Sequence, residues 1–184
     1  ISLNPNNLKA YHSRGTTYTI IGENDKALKD LSKVISEEPN NSQAYNSRSL
    51  AYRAISEFDK ALTDIFKAID LEPNNISNYS NRGAIYSEMD KDKEAIEDFT
   101  KVISEEPNFP IYFDNRGISF FKLSEYDKAL SDFTKAISLD PNFYYAYFNR
   151  GNTYGVFEEY EKAISDYNKV IAIKSDHYMA YERL

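Results

Sequence analysis

The fold class this sequence predicts is all-α, a solenoid of antiparallel helix pairs, and three observations carry that prediction. The first is an internal period of 34 residues: Gly83 aligns with Gly15, Ser49, Gly117 and Gly151, and Ala95 aligns with Ala27, Ala61, Ala129 and Ala163. The second is that each copy holds two helical patterns. Tyr79, Arg82, Gly83 and Tyr86 are spaced i, i+3, i+4, i+7, and Ala95, Asp98, Phe99 and Val102 repeat that spacing after a short polar break. The third is the punctuation, because Pro39, Pro73, Pro107 and Pro141 close the second pattern of their copies where a helix cannot continue.

Five copies result, at 8–41, 42–75, 76–109, 110–143 and 144–177, with partial copies at 1–7 and 178–184. The reading is one array over 1–184, itself a piece of a longer solenoid whose cut ends, marked by Ile1, Leu3, Tyr181 and Leu184, are sticky. First helices are predicted near 9–21, 43–55, 77–89, 111–123 and 145–157. Second helices are predicted near 25–37, 59–71, 93–105, 127–139 and 161–173. Asn7, Asn41 and Asn75 stand where side-chain caps are wanted, and Pro110 suits a first helical turn. A second period overlies the first: KVISEEPN occurs at 33–40 and 101–108, and the turn residues Phe58, Tyr126 and Tyr160 contrast with Asn24 and Asp92. Alternate turns are therefore expected to pack better.

In each copy an aromatic residue (Tyr11, Tyr45, Tyr79, Phe113 or Tyr147) is followed by the small contact residue, a second aromatic, the alanine, an apolar or aromatic residue and the proline. That column order resembles the tetratricopeptide repeat over essentially the whole chain. Ser49 for Gly, Ser175 for Pro, and Arg where the family usually carries Leu are the departures. The resemblance implies a right-handed superhelix with first helices lining its concave side. It also implies a non-enzymatic scaffold that binds a protein or peptide.

Composition narrows the alternatives. A formal net charge of −7 argues against a general nucleic-acid footprint, and the chain has neither a cysteine nor an apolar run long enough to insert in a membrane. No catalytic constellation or phosphate loop is present, and His12 and His177 lack a metal-binding context, so no cofactor or metal is expected. Competing functions are the recruitment arm of an enzyme whose catalytic part lies outside these residues, and a rod that self-associates end to end.

Two sets of side chains stand out. Arg14, Arg48, Arg82, Arg116 and Arg150 are each followed 16 residues later by Asp30, Asp64, Asp98, Asp132 and Asp166. An antiparallel pair offsets these columns by about 3 Å, within reach of an Arg side chain. An ion-pair ladder fixing helix register is expected, within a repeat or to the adjacent one. Lys33, Lys67, Lys101, Lys135 and Lys169 are the rival cations, and binding of an anionic ligand is the lesser alternative. The second set lies on the groove side that the resemblance implies: Asn81, Asn115, Asn149 and Asn152 as polar contacts, with Phe121, Tyr145 and Phe148 as apolar anchors displaced toward the C-terminus. Amide links between helices are the alternative role for the asparagines. The family variant that clamps a terminal carboxylate uses Lys and Asn at fixed groove positions. The Lys-bearing places here are His12, Asn46, Ser80, Asp114 and Phe148, so that clamp is not reproduced.

Overall fold

A computed structural model describes residues 7–183. Every element among them is helical. The chain divides into two compact units, 1–89 and 90–184. The first contains α1 (Leu8–Ile20), α2 (Asn24–Glu37), α3 (Ser42–Ala54), α4 (Phe58–Leu71) and α5 (Ile76–Glu88). The second contains α6 (Asp92–Glu105), α7 (Pro110–Lys122), α8 (Tyr126–Leu139), α9 (Tyr144–Val156), α10 (Tyr160–Ile173) and the short α11 (Tyr178–Glu182). Starts fall within a residue or so of those expected. Ile1, Leu3 and Leu184 lie outside the described residues, as does nearly all of the partial repeat 1–7.

The local chemistry that starts each helix is visible. The side chains of Asn7, Asn41 and Asn75 accept from the amides of Ala10, Ala44 and Ser77, and Pro110 opens α7 with the amide that a first turn leaves unused. Between the first and second helices stands one residue in the left-handed region: Gly22 at φ 79°, then Ser56, Asp90, Ser124 and Glu158 at φ 55–62°. Glycine adopts this turn without steric cost, and the other four are held in it by the helices they join.

Within the first unit α1 packs on α2, α3 on both α2 and α4, and α4 on α5; first helices α1, α3 and α5 also neighbour one another. The second unit repeats the scheme from α6 to α11, with α7 beside α9. The close approach within a pair depends on the small column. A Cβ on Gly117 would come 2.6 Å from the Phe133 ring, and one on Gly151 would come 2.7 Å from Tyr167. Where Ser49 replaces the glycine, the position in register with those rings carries the smaller Ile65. Each core then grows outward from the alanine opposite: Ala129 and Phe133 with Phe113, Ala136 and Ala146 in one cluster, and Ala163 and Tyr167 with Val170 and Ala180 in the next. Because Ala146 and Ala180 belong to the following first helix, burial is shared between successive repeats.

The alternation at the turns is only partly of the kind anticipated. Phe58 joins a buried cluster, and Tyr126 packs edge-on between Phe121 and Phe157, at 5.3 and 5.9 Å. Tyr160 is 61% exposed, whereas the small polar Asp92 is buried. Packing at this column is set by what the neighbouring turn supplies, as Phe157 does for Tyr126, and not by the size of the residue alone.

Candidate interaction site

Arg14, Arg48, Arg116 and Arg150 each meet the Asp of their own repeat. Arg14 donates through Nε and Nη2 to Asp30 at 2.6 and 2.7 Å, and Arg48 does the same to Asp64 at 2.7 and 2.8 Å. Arg116 reaches Asp132 at 2.7 and 2.8 Å, and Arg150 reaches Asp166 at 2.8 Å through both nitrogens. Each is a two-point fork, the geometry a planar guanidinium shares with a carboxylate. Its first consequence is electrostatic: the hydrogen bond to the aspartate raises the guanidinium pKa of Arg48 and Arg150 further. Each Arg also lies over two aromatic rings of its own helix, as Arg116 does over Phe113 and Phe120 at 5.8 Å.

A third contact joins successive repeats. Arg48 Nη1 donates to Ser32 at 3.0 Å, Arg116 to Thr100 at 3.1 Å and Arg150 to Thr134 at 3.2 Å, so a hydroxyl on the preceding second helix completes each guanidinium. Phe66 occupies this column in the first unit, and the Arg82 guanidinium stands 5.2 Å from its ring. Arg82 and the buried Asp98 belong to different units. Sequence reasoning missed the hydroxyls, although their signal is a Ser or Thr 16 residues before the Arg, as regular in these three repeats as the Asp 16 residues after it. With its fork spent on an aspartate, each of the four arginines Arg14, Arg48, Arg116 and Arg150 acts as a structural joint.

The groove-side asparagines are divided among several tasks. Asn81 Nδ2 donates to Asn46 Oδ1 at 2.9 Å, and Asn46 Nδ2 donates to the fully buried Asn78 at 2.5 Å. His12 Nε2 and Ser47 Oγ, 3.0 Å apart, make the corresponding link one repeat earlier. In the second unit Asn149 Nδ2 donates to Asp114 Oδ1 at 3.0 Å. Burial pushes the Asp114 carboxyl up to about 6, against the opposing pull of that amide. Asn152 accepts from the Tyr167 hydroxyl at 3.0 Å, and Asn115 is half-buried.

The aromatic residues divide as well. Phe148 is half-buried, its ring 4.9 Å from His177 and 6.0 Å from Tyr167, and so belongs to the packing of α9 against α10 and the turn that carries His177. Tyr145 is 51% exposed and stacks on Tyr144 with centroids 4.1 Å apart. Phe121 and Asn152 line a cavity of about 690 Å³ together with Val156, Tyr160, Ile164 and Arg183, and a smaller one of about 80 Å³ lies between Phe121, Asn149 and Asn152. Open aromatic and aliphatic surface interrupted by single amides suits a peptide or helix.

Family models described as tetratricopeptide repeat match residues 21–76, 76–109, 115–143 and 144–177. Among solved structures, MamA (residues 41 to the end) from Desulfovibrio magneticus RS-1 superposes with a TM-score of 0.83 at 19% identity, covering 94% of this chain and 97% of that one. A further MamA crystal structure gives a TM-score of 0.76 at 22% identity, with 94% of each chain covered. YrrB, described as a TPR protein with an unusual peptide-binding site, gives a TM-score of 0.74 at 23% identity, covering 94% of this chain and 89% of that one. At such identities the likeness is one of fold. No curated protein matches by sequence.

Proposed function

The chain belongs to the tetratricopeptide repeat family, and from that premise we propose that it is a non-enzymatic scaffold that takes a peptide or helix of a partner protein on the first helices of its second unit. The observation that carries this is that α9 bears the exposed Tyr145 one turn from Asn149, whose amide lines, with Asn152 and with Phe121 of α7, the small cavity between these two first helices. A half-exposed ring buries a large area when a ligand covers it, and the amides answer the backbone polar groups that a peptide brings along. The peptide-binding site described for YrrB supports the reading. No helix among the described residues is long and apolar enough to cross a membrane.

The test is a peptide selected from a displayed library on the wild-type chain and measured by fluorescence anisotropy. Tyr145→Ala and Asn152→Ala are expected to weaken it by about 1 kcal/mol or more each, and Thr16→Ala, remote in the first unit, to leave it unchanged. Equal losses from all three variants would remove the site.

A second reading has its own observation. Val156, Tyr160 and Ile164 are 46%, 61% and 42% exposed around one cavity, an apolar surface suited to self-association. Sedimentation equilibrium over a concentration series is expected to show assemblies that Ile164→Asp dissolves. A wild-type chain that stays monomeric throughout ends this reading.

A further inference from the structure

We propose that Asp114, Asn149 and Tyr145 form a receptor for a basic side chain, lysine or arginine, of the bound peptide. This deepens the proposed groove function and rests on it. The starting point is an inequality among buried carboxylates. Asp30, Asp64, Asp132 and Asp166, 4–5% exposed, each hold an arginine fork. Asp114 is 3% exposed, and its hydrogen-bond partner is the neutral amide of Asn149, on Oδ1; no Lys or Arg among the described residues lies within salt-bridge distance of it. A buried carboxylate without a cation is costly to ionise, as its raised pKa reflects, and a cation brought to it recovers that cost.

The repeat supplies an internal control. At the same column Asn46 accepts the equivalent amide from Asn81 at 2.9 Å, so a neutral side chain makes the helix-to-helix link equally well. The negative charge at Asp114 is therefore surplus to the link. Its surroundings fit a cation. Tyr145, one turn before Asn149 on α9, keeps half its ring open, a face for an ammonium or guanidinium. Ile111, one turn before Asp114 on α7, is 41% exposed and can carry an aliphatic stem. The net charge of −7 favours the approach of a basic partner.

The experiment uses the whole chain, isotope-labelled for NMR, and three capped pentapeptides with Lys, Arg or norleucine at the centre of four glycines. The Lys and Arg peptides are expected to shift the Asn149 side-chain amide and the Tyr145 resonances saturably, and to bind about tenfold more tightly than the norleucine peptide. Asp114→Asn, the residue the array already uses at Asn46, should stay folded and abolish the difference. Tyr145→Leu, which keeps the carboxylate, should reduce it. Norleucine binding as tightly as lysine and arginine, basic peptides unaffected by Asp114→Asn, or no shift from any of the three would each overturn the receptor. In the first case, retained binding of the library-selected peptide would leave the broader groove reading standing.

Discussion

Asp132→Ala is expected to destabilise the second unit by about 3–5 kcal/mol, measured by urea or thermal unfolding. The substitution removes both acceptors of the Arg116 fork while its side chain, 18% exposed, stays between Phe113, Phe120 and Thr100. An uncompensated charge held there cannot recover its hydration. Asp30→Ala is the built-in comparison, because Arg14 is 42% exposed and can turn to water, so its loss should be clearly smaller. Replacing both partners, as Arg116→Met with Asp132→Leu, should recover most of the stability, since the penalty comes from the orphaned charge. A loss below about 0.5 kcal/mol for Asp132→Ala, or one equal to that of Asp30→Ala, would show that the joint is solvated.

Asp114→Asn is expected to act in the opposite direction, and only at higher pH. Burial raises the Asp114 carboxyl from 3.8 to about 6, so between those values the folded chain retains a proton that the unfolded chain has released. Wild-type stability therefore falls as pH rises from about 4 to 6, and above that range the full deficit is about 3 kcal/mol. Asparagine, which does not titrate, escapes the deficit. The variant should thus be the more stable protein at pH 7–8 by up to that amount, with the advantage vanishing below about pH 4. Unfolding curves for both proteins at pH 4, 6 and 8 measure the difference and cancel every other titration. A difference that does not change with pH would mean that the carboxyl is not desolvated in the folded chain.

How far the chain can be read without coordinates depends on the distance over which each feature is decided. Helix starts at Asn41 and Pro110 are fixed by neighbours within one turn, and the meeting of Arg116 with Asp132 by the register of one helix pair, so both are legible as spacings. The choice Asn149 makes of Asp114, or Asn81 of Asn46, depends on how far one first helix is rotated against the next, which no single repeat encodes. The same rotation separates Tyr145 from Phe148. Three residues apart on one helix, they face open space and the Tyr167 ring respectively. Asp114, recognisable in the sequence only as a mismatch to a lysine clamp, becomes informative once its burial and its single amide partner are known.

The hydroxyl that completes a guanidinium has a consequence for how such a chain can lengthen. In Arg48, Arg116 and Arg150 two nitrogens stay at home and the third points backward, to Ser32, Thr100 or Thr134. Each of these repeats thus carries its own connector and finds its socket on the repeat before it. A tandem duplication of one whole unit in frame reproduces both, and no partner elsewhere has to change. A duplicated segment whose length is not a multiple of 34 residues would break the register at its junction, and with it whichever spacing of 16 residues spans that point. The polarity of one side chain thus makes whole-repeat duplication the change this architecture absorbs most easily, which accords with the identical KVISEEPN strings two repeats apart.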